Sequence, residues 1–134
     1  MLPHEHSALL MRKASLDEVT VQKLISDVSA PDEVIGFHAQ QAVEKMLKAV
    51  LAARGARYRR THDLVELLDL LRGQGISYPG ELEEARRLTP FAVAYRYDEV
   101  PEEAEQAFDR AWALECLRKV RAWSESVIGS QRGE

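Results

Sequence analysis

Apolar residues recur at three- and four-residue steps along most of the chain, and no segment alternates with period two for long. The first such stretch, over about residues 7–28, carries Leu10, Ala14, Val21, Leu24 and Val28 in one stripe that Asp17 interrupts. Within it, Ser15-Leu16-Asp17-Glu18 reads as a capping box, which leaves open whether the helix breaks near Ser15. A second helix is predicted from Pro31 to about Gly55, with Ile35, Ala39, Ala42, Met46, Ala49 and Ala53 inward and Gly55 as its C-cap. A third has Asp63 and Glu66 as a capping pair and Leu64, Leu67, Leu68 and Leu71 as its buried face, and it stops at Gly73-Gln74-Gly75. A fourth follows Pro79 with Leu82, Ala85 and Leu88, until Pro90 kinks or breaks it; a helical turn or a second short helix then resumes over residues 91–97. Pro101 opens a fifth, carrying Ala104, Ala107, Phe108, Ala111, Leu114, Leu117, Val120 and Val127. Pro31, Pro79 and Pro101 each precede carboxylates, which suit the positive end of a helix dipole.

Short connections between such segments favour antiparallel neighbours, so the expected fold is all-α, an up-and-down bundle of four or five helices. A length of 134 residues suits a single domain over residues 1–134, with an ordered core over about 7–128 and a frayed tail over 129–134. Only 7 glycines and 5 prolines argue against an all-β chain. The net charge of −4 excludes a general electrostatic binder of nucleic acid and leaves room for a local basic patch only. One cysteine, Cys116, excludes an intramolecular disulfide and a multi-cysteine zinc site; set among Leu114, Leu117 and Val120, it reads as core filler. No apolar run approaches the roughly 20 residues of a membrane span, and the first six residues lack a secretory pattern. The expectation is a cytoplasmic protein without membrane contact.

Candidate chemistry gathers in the middle of the chain. His38, Gln41, Lys45 and Lys48 fall at helical steps on one face of the second helix. Periodicity alone favours a solvated face, supported by a Glu44–Lys48 pair one turn apart. Arg54, Arg57, Arg59 and Arg60 surround Tyr58 in the loop that follows. That loop suits phosphate or single-stranded RNA about as well as it suits plain capping of a helix C-terminus. His62-Asp63 resembles a base and its orienter, although a capping Asp explains the pair adequately. Arg96 stands between Tyr95 and Tyr97 before an acidic run, either in a local ion pair or as an anion site. The four histidines have no metal-ligand spacing, and His4 and His6 precede the first predicted helix, so neither a metal nor another cofactor is expected.

The run from Gly36 to Ala49, GFHAQQAVEKMLKA, resembles the second helix of HEPN domains, the helical nucleotide-binding domains of higher eukaryotes and prokaryotes. The resemblance continues through Arg60-Thr61-His62-Asp63-Leu64-Val65-Glu66-Leu67-Leu68 and closes on Ala92-Val93-Ala94-Tyr95-Arg96-Tyr97, covering about residues 10–127. It implies a helical bundle, usually a homodimer, with a polar groove at or near the dimer interface. It also implies a minimal nucleotidyltransferase partner in a toxin–antitoxin-type pair, or a nucleotide or RNA ligand. Ribonuclease members carry Arg, four to six residues, then His. Here Arg96 matches the arginine and no histidine follows it over residues 97–103, so the motif is incomplete. Arg57 and His62 show the spacing outside the expected place. The resemblance therefore implies binding without cleavage, with His38, Gln41, Lys45, Lys48, Arg57, Arg59, Arg60, Arg96 and Tyr97 as ligand-binding candidates. The alternatives are a metal-independent ribonuclease toxin, with Arg96 and either His62 or His38 as its catalytic groups, and a non-catalytic interaction module.

Overall fold

A computed structural model describes residues 1–94 and 108–132. Its elements are α1 (Pro3–Leu24), α2 (Asp32–Ala53), α3 (Leu64–Gly73), a 3₁₀ segment (Gly80–Leu88), α4 (Phe91–Ala94) and α5 (Arg110–Arg132). No strand occurs among the described residues. The all-α expectation holds.

Helix α1 starts earlier than the apolar stripe suggests, because Pro3 sits in its first turn and the Leu2 amide donates to the Glu5 carboxylate at 3.3 Å. It does not break at Ser15. That hydroxyl donates to the Met11 carbonyl one turn back (3.1 Å), so the helix continues and Ser15 caps nothing. Nor does α1 reach Val28, which is 96% exposed in the turn before α2.

Helix α2 occupies the centre of the molecule and touches every other described helical element. Ile35, Ala39, Ala42, Val43, Met46, Leu47, Val50 and Leu51 are all fully buried. It ends as predicted at Gly55, whose φ of +68° lets its amide reach the Ala52 carbonyl (2.9 Å) while the Ala56 amide reaches Leu51 (2.9 Å). Gly75 repeats this ending on α3, with φ +75°. Gly36 is required by packing, since a Cβ there would stand 2.5 Å from the Phe91 ring of α4.

At the start of α3, Asp63 caps by accepting from the Val65 amide (3.0 Å), and the Leu64 amide donates to the Thr89 hydroxyl. The predicted Asp63–Glu66 pair does not form, because Glu66 accepts from Arg59 instead. Leu82, Ala85 and Leu88 are buried as expected, but on a 3₁₀ segment rather than an α-helix. The chain then turns through Thr89-Pro90 into the short α4.

The predicted start of the fifth helix at Pro101 lies outside the described residues, as do Ala104 and Ala107. Among those described, Phe108 and Asp109 are not helical, and the Asp109 side chain caps α5 through the Trp112 amide (3.0 Å). The helical phase is thereby reset. Ala113, Cys116, Leu117, Val120 and Ser124 face inward, whereas the predicted Ala111 is exposed. Helix α5 also runs through Gly129 to Arg132, where a frayed tail was expected.

Arg110 joins the ends of three elements. Its guanidinium donates to the carbonyls of Leu24, Ile25, Asp27 and Ala30 and to the Asp32 carboxylate, at 2.7–3.2 Å. Farther along α5, Arg121 donates to Glu18 and Ser15 of α1. Helix α5 therefore runs antiparallel to α1 and in the same sense as α2.

Candidate functional site

The polar residues of α2 lie on a helix buried on nearly all sides, so they must find partners inside the protein. They do so in two groups. His38 and Lys45 turn towards α1 and share Asp17: His38 Nδ1–H donates to Oδ1 at 2.9 Å and Lys45 Nζ donates to Oδ2 at 2.5 Å. The residue that interrupts the apolar stripe of α1 is thus the acceptor for two polar positions of α2.

The second group centres on Glu44, which is only 4% exposed. Its Oε1 accepts from Gln40 Nε2 (3.0 Å) and His62 Nδ1 (2.9 Å), and its Oε2 accepts from Lys48 (2.9 Å). Burial pushes the Glu44 carboxyl up, but hydrogen bonds from Lys48, Gln40 and His62 outweigh it and hold the group below the usual carboxylate range. Gln40, fully buried, also donates to the His62 carbonyl (3.0 Å) and accepts from Gln41 Nε2 (2.7 Å). The expected Glu44–Lys48 pair is present, but the face is enclosed rather than solvated. Charge pairing and loop packing cover it.

Because a carboxylate only accepts, the hydrogen of neutral His62 sits on Nδ1. Its Nε2 then carries a lone pair, on a side chain that remains 40% exposed. This is the arrangement of an oriented acid–base histidine. Tyr58 leans over the same place: the Lys48 ammonium stands 5.6 Å from its ring centroid, and burial followed by the Glu44 charge raises its phenol. His6 of α1 also approaches Tyr58, with ring centroids 6.4 Å apart.

Arg59 is held by Glu66 (2.6 Å). Arg54, Arg57 and Arg60 are exposed and have no side-chain partner among the described residues. The structure therefore brings Gln41, Lys48 and His62 together with the arginine loop and leaves His38 and Lys45 in a separate cluster. Arg96 and Tyr97 lie outside the described residues. Sequence reasoning missed Asp17, Gln40 and Glu44 as site groups. Asp17 alone had a signal, as a polar residue where the apolar rhythm of α1 calls for a hydrophobic one.

No group of three or more metal-ligating side chains occurs among the described residues. No helix among them is long and apolar enough to cross a membrane. A family model described as the HEPN domain matches residues 8–127, most of the chain. The chain belongs to the HEPN family. Comparison with curated proteins and with solved structures returned no match. In this HEPN domain the first of the resembling blocks forms the centre of α2, and the second forms the loop and first turn of α3.

Proposed function

We propose that this HEPN protein binds a phosphate-bearing ligand, a nucleotide or a short RNA segment, without cleaving it. The observation that carries the reading is the set of exposed arginines, Arg54, Arg57 and Arg60, without side-chain partners among the described residues, in the loop that brings Tyr58 to Lys48 and His62 to Glu44. Guanidinium groups not committed to carboxylates are available to phosphate oxygens, and Tyr58 offers a face for a base. The absence of a histidine after Arg96 over residues 97–103 supports binding over cleavage. The same reading makes the chain a single cytoplasmic domain that works as a homodimer, paired with a minimal nucleotidyltransferase in a toxin–antitoxin-type system. Fluorescence polarisation with a labelled octauridylate and with labelled AMP and ATP tests it. Wild-type protein binds one of these probes, and the Arg57→Glu/Arg60→Glu variant loses at least about tenfold in affinity. Equal binding by both proteins sinks the proposal. A monomeric mass by light scattering at micromolar concentration removes the homodimer from it.

One specific observation favours a second reading, a metal-independent ribonuclease. His62 has its Nδ1 held by a buried carboxylate and its Nε2 unpartnered among the described residues. Degradation of RNA in excess chelator that disappears in His62→Ala selects this reading over simple binding.

A further inference from the structure

A concave site lies between the first half of α1 and the last turns of α5. It is an open groove of about 350 Å³, within the range of small-molecule sites. Ala8 and Met11 of α1 and Ile128 of α5 supply apolar surface, and Gly129 leaves the space beyond its Cα empty, with no atom within 4 Å of where a Cβ would stand. Arg121 and Glu125 also line the groove but neutralise one another at 2.8 Å. Arg12 is the lining charge with no partner among the described residues.

Ser7 gives this groove its meaning. Its hydroxyl is the one buried side-chain polar atom without a hydrogen-bond partner among the described residues, on a residue 1% exposed. A serine on a helix has a ready local acceptor in the carbonyl one turn back, and both Ser15 and Thr20 of α1 use theirs. Ser7 does not. A buried hydroxyl left unpaired is costly, and a native protein keeps one where something else completes it.

We infer that the α1–α5 groove binds a small amphipathic carboxylate. Its apolar body lies against Ala8, Met11 and Ile128; its carboxylate meets Arg12 and accepts from the Ser7 hydroxyl, turned about its χ1 into the groove. His4 at the rim adds an imidazole donor. No part of this site is shared with the Glu44–His62 cluster, so the proposal stands apart from the phosphate-binding reading.

Octanoate serves as the probe and octanamide as its uncharged control, each titrated into ¹⁵N-labelled full-length protein. Octanoate is expected to shift the amides of residues 4–12 and 121–129, with octanamide at least about tenfold weaker. Arg12→Gln should weaken octanoate by about tenfold, and Gly129→Leu, folded by circular dichroism, should abolish binding by filling the groove. Ser7→Ala should weaken octanoate several-fold, roughly the loss of one hydrogen bond to a charged group. No response to octanoate, or an unchanged response in Gly129→Leu, overturns the inference. So does a Ser7→Ala protein that is more stable yet binds octanoate equally, since the hydroxyl then meets only a buried water. If these amides follow protein concentration and ignore octanoate, the groove is filled by a second copy and the inference falls.

Discussion

Glu44 shows how one side chain can organise a site from within the core. A buried carboxylate is tolerated only when its lone pairs are used, and here Gln40, His62 and Lys48 use them. Glu44→Ala would leave Lys48 enclosed without its counter-charge, so a loss of about 3 kcal/mol is expected in urea unfolding. The sign of the pH effect follows from its lowered pKa. Its stabilisation is complete above about pH 4.3, where the unfolded side chain is ionised, and fades as pH falls through the native value. Glu44→Gln should flatten the acid limb of the stability–pH curve below about pH 4, measured as the urea midpoint at successive pH values. The residue types were legible in the sequence and their burial was not. A helical stripe of His, Gln and Lys looks the same whether it faces water or a matching carboxylate on another element. Asp17 reads as an interruption until α1 is laid against α2.

At the scale of elements, local signals worked where chemistry and geometry coincide. Pro31, Asp63, Gly55 and Gly75 all mark real ends, because proline geometry, an N-cap carboxylate and positive φ act within a few residues. The same rule applied to Pro3 and Glu5 would have found the true start of α1. The phase of α5 was out of reach, because extending one apolar rhythm across Phe108 and Asp109 assumes no cap between them, and Asp109 is that cap. Arg110 was missed for a different reason: its partners are backbone carbonyls about 80 residues away, and carbonyls have no sequence signature. Its fork of donors holds the α1–α2 turn in a way that one ammonium cannot. Arg110→Lys should therefore destabilise by about 1–2 kcal/mol, with the faster amide exchange concentrated over residues 25–31.

For the whole molecule, a net charge of −4 hides an uneven distribution. Asp17, Glu44 and Glu66 beside the candidate site are each matched to a base, while Arg54, Arg57 and Arg60 have no partners among the described residues. A single-stranded ligand held by three such groups gives a slope of about −2 in log K against log salt. Measured slopes near zero for octauridylate would mean that the arginines do not meet phosphate. The slope separates the local patch from the overall charge, which on its own would repel RNA.

Cys116 brings the α5 surface into the laboratory's time domain. It lies in the wall where Trp112, Glu115 and Lys119 face Glu81 and Glu84 of the 3₁₀ segment, and burial, then the Glu84 charge, pushes its thiol up to about 11. At pH 8.5 so little of it is thiolate that iodoacetamide should react roughly a hundredfold more slowly than with a free thiol. Mass spectrometry of the alkylated fraction, with and without urea, checks this. As the chain's one thiol, it makes each alkylation event a record of the seam between α5 and the 3₁₀ segment coming apart. The protein thus carries its own stopwatch for local opening.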